Sequence, residues 1–316
     1  MKRNKLLSML MVLILVMGVL CGCGGSGSGE SGEEGGQTGG EALISVTDQK
    51  GRVIELEEPA KRVVALTASD CEIIYALGAE ETLVGRGEYC TYPAEVTEVT
   101  MVASGSETNL EQIIALAPQV VLMNEMDQTP EQVEALEKAG IKVVVNDANT
   151  IAETYDSIEI IGAVVGKDAE AKAMVDSMKS AFAGMEAHKD IFEGKTVYFE
   201  ISPLEYGLWT AGPGSFMDEV AGMMGLTNIF SDVERWAQVS EEQVLQRNPD
   251  YIVSVAMYFG EGMTPVEEIL SRPGWSNVTA IKNNDILNLQ NDELSRPGPR
   301  LVDGAQMLFD MISGEQ

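Results

Sequence analysis

One short unit occurs twice in this chain, and few folds accommodate it. Residues 109–123 read NLEQIIALAPQVVLM. Asn109 is a good helix N-cap, because its side chain accepts a hydrogen bond from a free backbone N–H of the first turn. Leu110, Ile113, Ile114 and Ala117 recur at helical spacing. Pro118 cannot continue the backbone ladder and stops the helix. The apolar run VVLM that follows suits a buried parallel strand. Residues 240–255, SEEQVLQRNPDYIVSV, repeat this order: Ser240 as cap, Val244 and Leu245 on the apolar side, Pro249 as stop, YIVSV as strand. Glu111 and Glu242 stand at the same distance from their prolines, 131 residues apart. A single helix and strand of this size cannot bury their own apolar side, so two copies imply two similar lobes.

The rest of the chain fits that plan. ISVTDQKGRVIEL (44–56) alternates around a turn and predicts a hairpin. RVVALTAS (62–69) predicts a strand, DCEIIYALGA (70–79) a helix, and LVGRGEYCTYP (83–93) a strand and loop. TPEQVEALEKAGIKVVVND (129–147) predicts a helix with Pro130 at its first position, then a strand. Strands alternating with helices mean a mostly parallel sheet. The expected class is therefore α/β, with two similar lobes of mostly parallel sheet: residues 43–167 and 191–316. Between them, residues 168–190 predict one long helix of roughly 35 Å, read as a stiff connector. The second lobe opens with KTVYFEIS (195–202) and YGLWTAGPGS (206–215), where Ser215 caps a helix.

Before the lobes lies a different kind of sequence. MKRNK is basic, and LLSMLMVLILVMGVL (6–20) is apolar but short for a membrane span, which predicts a signal peptide over residues 1–22. It ends in Leu20-Cys21-Gly22-Cys23, similar to a bacterial lipobox with Cys23 as the acylated residue; bulky Leu20 makes Cys21 the poorer choice. Residues 23–42 are rich in Gly, Ser and Glu and read as a flexible acidic tether. An extracytoplasmic protein, lipid-anchored to the cell membrane, is expected. The chain of 316 residues carries 50 acidic and 21 basic side chains, which argues against nucleic acid as a partner.

NLEQIIALAPQVV, GLWTAGPGSFMDEV, WAQVSEEQVLQRNPDYIV and SRPGPRLVDG together resemble one family: the solute-binding proteins of bacterial ABC importers for vitamin B12, haem and ferric siderophores. The resemblance covers about 43–316. It implies two α/β lobes joined by a long helix, ligand held in the cleft between them, and a permease with its ATPase as partner. It also implies one exposed glutamate per lobe that meets the permease, and Glu111 and Glu242 match those positions. No resident cofactor is implied; a chelate cargo brings its own cobalt or iron.

In sheets of this kind, ligands bind beyond the carboxyl ends of the strands. That rule selects Ser69, Asp70, Tyr89, Cys90 and Tyr92, and further Gly105, Asn124, Trp209, Trp236, Tyr258 and Arg296. Flat aromatic groups suit a large ring ligand with apolar area and few charges. EYCTYP and Trp236 in RWAQVS resemble ligand-side residues of vitamin B12 binders, which favours a corrinoid over a ferric siderophore or haem. The B12 binders also carry an aromatic near Gly105, absent here. Arg296 either pairs with an anionic ligand or braces its loop. A surface receptor using the same lobes without a transporter is a more distant reading.

Cys71 and Cys90 both fall near the expected cleft, and sequence leaves open whether they form a disulfide. His188 is the only histidine, so a histidine-based catalytic or metal site is not expected. The chain shows no nucleophile elbow, P-loop or metal-ligand cluster, and an enzyme is not expected.

Overall fold

The computed structural model describes residues 44–105, 108–124, 129–258, 260–289 and 293–314. A hairpin comes first: β1 (Ile44–Thr47) pairs antiparallel with β2 (Val53–Leu56). The first lobe then runs β3 (Val63–Ala65), α1 (Ala68–Ala76), β4 (Leu83–Arg86), α2 (Leu110–Ala115), β5 (Val120–Met123), α3 (Pro130–Lys138) and β6 (Lys142–Val145). Its four strands lie in the order β4-β3-β5-β6, every pair parallel. All four residues of β5 are buried, which is why VVLM carries no polar alternation.

Two helices follow, α4 (Ile151–Val165) and α5 (Asp168–Glu186). The second lobe runs β7 (Thr196–Glu200), β8 (Leu208–Ala211), α6 (Phe216–Met223), β9 (Thr227–Asn228), β10 (Trp236–Val239), α7 (Glu241–Arg247) and β11 (Tyr251–Ser254). It closes with α8 (Pro265–Ser271), α9 (Thr279–Asn283), β12 (Ile286–Asn288) and α10 (Leu301–Ser313). Its parallel sheet has the order β12-β11-β7-β9. Both sheets obey one rule: the first strand is flanked by the second and third, and the fourth lies beyond the third. The echo seen in the sequence is thus an echo of topology.

The two echo helices match in detail. Asn109 accepts from the Gln112 backbone N–H at 3.0 Å, and Ser240 accepts from that of Gln243 at 3.3 Å. Each helix stops before its proline through a residue at φ 46°, Ala117 in one copy and Asn248 in the other. α2 is therefore shorter than its apolar spacing suggests. A proline pushes the residue before it out of the helical region, and here that residue turns left-handed. Glu111 and Glu242 are both the second residue of their helix, and both are exposed. Neighbouring Glu241 accepts a hydrogen bond from Trp275 Nε1 at 2.8 Å.

α5 has 19 residues, about 28 Å at the helical rise. It ends at Glu186, short of residue 190, and a separate 3-10 turn covers Lys189–Ile191. Its buried stripe is Ala171, Val175, Met178, Phe182 and Met185. That stripe packs on α4 on one side and on α6 and α10 on the other, so the helix joins the lobes by shared core. Among the described residues no helix is long and apolar enough to cross a membrane. The expected signal peptide, tether and Cys23 lie outside the described residues.

Candidate functional site

A cavity of about 550 Å³ opens where the loops beyond the carboxyl ends of both parallel sheets face each other, a volume usual for small-molecule sites. The first lobe supplies a polar wall. Thr67 caps α1, its hydroxyl accepting from the Asp70 backbone N–H at 3.3 Å. That cap turns Asp70 into the first helical turn, where it is only 1% exposed. Asn146, just past β6, donates its Nδ2 to Asp70 Oδ1 at 3.0 Å. Burial pushes the Asp70 carboxyl up to about 6, against the hydrogen bond from Asn146 that pulls it down. Asn124, just past β5, and Ser69 line the same wall.

The loop after β4 hugs the end of β3. The Gly87 N–H donates to the Ala65 carbonyl at 2.8 Å. A Cβ on Gly87 would lie 2.1 Å from the Leu66 carbonyl oxygen, so this close approach requires glycine. The loop then carries Tyr89 into the cavity rim, 53% exposed. Cys90 turns the other way: its thiol donates to the Thr67 carbonyl at 3.2 Å. Both Cys71 and Cys90 also reach the Ala65 carbonyl, at 3.6 and 3.9 Å, and both are free buried thiols. Burial, then the adjacent Cys90, pushes the Cys71 thiol well up.

The second lobe supplies an aromatic wall. β8 and β10 form an antiparallel ribbon in which Trp209 faces Gln238 and Trp236 faces Ala211. Directly paired residues share a face and alternate residues return to it. Both tryptophans therefore stand on one face, and both line the cavity. Trp236 Nε1 donates to Asn149 Oδ1 at 2.8 Å, and its ring meets Phe216 edge-on with centroids 5.3 Å apart. The Phe216 N–H donates to the Asn149 carbonyl at 2.6 Å. The lobes thus touch across the cavity through the segment after β6.

Arg296 closes one end. It donates Nη1 to Glu72 Oε1 at 3.0 Å and Nη2 to the Tyr89 carbonyl at 3.2 Å. Glu72 also accepts from Arg300, Nη2 at 2.7 Å and Nε at 2.9 Å. The Arg300 guanidinium lies 3.8 Å from the Tyr92 ring centroid.

Of the residues expected at a ligand, the cavity brings together Ser69, Asp70, Tyr89, Asn124, Trp209, Trp236 and Arg296. Cys90, Tyr92, Gly105 and Tyr258 are not among its lining residues. Cys90 is turned inward by its carbonyl partners, and Tyr92 is held under Arg300. Tyr258 donates its hydroxyl to the Gly262 carbonyl at 3.3 Å, and Gly105 makes a turn at φ 89° whose carbonyl accepts from the Thr108 hydroxyl. Asn146, Asn149, Ile201 and Phe216 line the cavity without having been expected there. The carboxyl-end rule would have found the first three, since each follows a parallel strand. Among the described residues no cluster of His, Cys, Asp and Glu could hold a metal ion.

Residues 63–293 match the family described as periplasmic binding protein. The chain is 34% identical over 275 residues to an uncharacterized ABC transporter substrate-binding lipoprotein, YvrC, of Bacillus subtilis, covering 85% of each. It is 31% identical over 257 residues to the vitamin B12-binding protein of Salmonella typhimurium, covering 80% of this chain and 91% of that one. Among solved structures it resembles a possible iron-binding, periplasmic solute-binding protein from Staphylococcus epidermidis. There the TM-score is 0.68 at 31% identity, over 81% of this chain and 99% of the other.

Proposed function

This chain belongs to the periplasmic binding protein family, and on that footing we propose that it is the solute-binding component of an ABC importer. It captures a metal chelate, in the first place a corrinoid, and delivers it to a permease driven by an ATPase. The metal is part of the cargo. The observation that carries this reading is the make-up of the cavity: two tryptophans on one ribbon face, with Tyr89 at the rim. A large flat ring offers such a site apolar area on both faces. The cavity's arginine supports a neutral or cationic cargo over a polyanionic one, because Arg296 already serves Glu72 and the Tyr89 carbonyl. Similarity to a vitamin B12-binding protein points the same way. A ferric siderophore or haem is the second reading, favoured by the likeness to a possible iron-binding protein.

Calorimetry with cobinamide, cobalamin, haemin and a ferric hydroxamate tests the choice. The expected result is heat with the corrinoids. Clear binding of the ferric hydroxamate, with no heat from either corrinoid, would replace the corrinoid by a siderophore and leave the transport role in place. Within the corrinoid reading, Trp236→Ala should weaken binding by about tenfold or more, since ring packing and lost area together exceed roughly 1.4 kcal/mol.

Delivery is assigned to Glu111 and Glu242, exposed at matching positions on the two echo helices. Glu241 is a poorer candidate because Trp275 already holds its carboxylate. Attachment to the outer face of the membrane is assigned to Cys23, in keeping with a relative described as a lipoprotein.

A further inference from the structure

Three side-chain oxygens on the first-lobe wall are buried and accept no hydrogen bond from the described residues: Asp70 Oδ2, Asn124 Oδ1 and Asn146 Oδ1. All three residues line the cavity. Asn124 and Asn146 directly follow the neighbouring strands β5 and β6, and Asp70 stands in the first turn of α1, which follows β3. Asp70 and Asn146 are 1% and 6% exposed. The orientation of the Asn146 amide is fixed by chemistry. Asn146 must present its N–H to the carboxylate of Asp70, which leaves its oxygen as the atom without a donor. Above about pH 6, where Asp70 is ionised, its carboxylate and the two amide oxygens are acceptors without a proton to offer. Arg296, the one arginine at the cavity among the described residues, is engaged by Glu72 and the Tyr89 carbonyl.

A buried acceptor with no donor is costly to keep, and a ligand that supplies the donor recovers that loss on binding. A ligand that brings another acceptor to the same place leaves both groups unpaired and is rejected. The two walls therefore read different parts of one molecule. The tryptophan ribbon takes a ring face, and the oxygen cluster takes a rim.

We propose that Asp70, Asn124 and Asn146 form a donor-selecting subsite that accepts N–H groups, in the first place the primary carboxamides on the rim of a corrinoid. This rests on the corrinoid reading for the identity of the amides, while the acceptor character stands on the geometry. It makes the first lobe a selector of the cargo's peripheral groups. Corrins whose rim amides are replaced by esters or acids are refused although their ring is unchanged.

The test compares dicyanocobinamide with heptamethyl cobyrinate, which has the same corrin but ester groups and no N–H. Wild-type protein should prefer the amide by roughly tenfold or more, the consequence of leaving buried acceptors unpaired. Asp70→Asn keeps the volume and turns one unpaired acceptor into a donor, so the preference should collapse towards unity or invert. Circular dichroism melting of the variant confirms that it is folded, and Asn146→Leu is the second variant, expected to reduce the preference without introducing a donor. Equal affinity of wild-type protein for amide and ester would overturn the subsite while leaving the corrinoid reading intact.

A second probe pair separates the two ideas. Ferrioxamine B carries a terminal ammonium, and its N-acetyl derivative trades that for a single amide N–H. If neither corrin binds but ferrioxamine B outbinds its acetylated form, and Asp70→Asn removes the difference, the subsite holds and the corrinoid reading falls. Equal binding of those two, with no corrin bound, overturns both, as does no binding of any of the four.

Discussion

Glu72→Gln tests how firmly the C-terminal segment is tied to the first lobe. The Glu72 side chain is 2% exposed and accepts from Arg296 at 3.0 Å and from Arg300 at 2.7 and 2.9 Å. Burial acting alone would lower the Arg300 guanidinium. The hydrogen bond and charge of Glu72, with the charge of Glu293, outweigh it and hold the group above its usual range. Removing one partner from a buried ion pair costs about 3–5 kcal/mol. Two features place this case at the low end. The arginine side chains are 13% and 12% exposed and regain some hydration, and Arg300 keeps Glu293 at 3.0 Å. The expected loss is therefore about 3 kcal/mol, which for a unit of this size lowers the melting temperature by roughly 6 °C. Circular dichroism melting reads it directly. In a double-mutant cycle with Arg300→Gln the two losses should be well short of additive, since each removes the same contact. A shift under about 2 °C, or an additive cycle, would mean that these groups behave as a solvated surface pair and that the tie is not electrostatic.

Asp70 adds a pH signature. Its folded pKa, about 6, lies above the ordinary aspartate value of about 4, so its ionised form is disfavoured in the fold. This group's contribution to stability rises as pH falls from about 6 to about 4, by about 3 kcal/mol in total, and is lost again as pH rises through 6. Denaturant titrations of wild type minus Asp70→Asn across that window should show this slope; a flat difference would refute it. Reversing Glu111 and Glu242 together to Lys should abolish uptake while calorimetric affinity for the cargo stays unchanged; a large loss of affinity would show that they face the ligand instead. Cys23→Ala should move the protein from the detergent phase to the aqueous phase in phase partitioning, and unchanged partitioning would refute lipid attachment.

Local signals were the legible ones. Asn109, Thr129, Ser215, Ser240 and Thr264 each cap the helix that follows through a side-chain hydrogen bond, a contact set by residues three apart. Topology was legible because the echo units repeat. Once the sheets are parallel, the carboxyl-end rule reaches Ser69, Asp70, Tyr89 and Asn124 without any knowledge of packing. What it cannot reach is direction. Cys90 and Tyr89 are neighbours in one loop, yet one thiol turns to the Thr67 carbonyl and one ring faces the cavity. Nor does sequence show contacts between distant segments. Glu72 meets Arg296 across 224 residues, and nothing near either residue announces the other. The β8–β10 ribbon was hidden for the same reason, since its strands are separated by all of α6 and β9.

That ribbon is also where the two lobes cease to be copies. In the first lobe, β3 passes directly into α1 through Leu66 and Thr67. The cap at Thr67 places Asp70 at the cavity, and the wall there is made of short polar side chains on helix and strand ends. In the second lobe, the equivalent strand β7 is followed by an extra strand, β8, before α6 begins at Phe216. β10, just ahead of the echo helix α7, pairs with it. The inserted ribbon brings Trp209 and Trp236 to the cavity. Two sheets of one topology thus face each other with different chemistry: oxygen acceptors and Tyr89 on one side, two indole rings on the other. A ligand that satisfies both walls must be broad and flat in one part and rich in N–H donors along an edge. A swap that shortens this segment to a direct β7–α6 turn would remove Trp209 with β8 and leave β10, which carries Trp236, without its pairing partner, while leaving the Asp70 wall in place. Loss of ring affinity with retained amide-over-ester preference in weak binding is the result this division of labour requires.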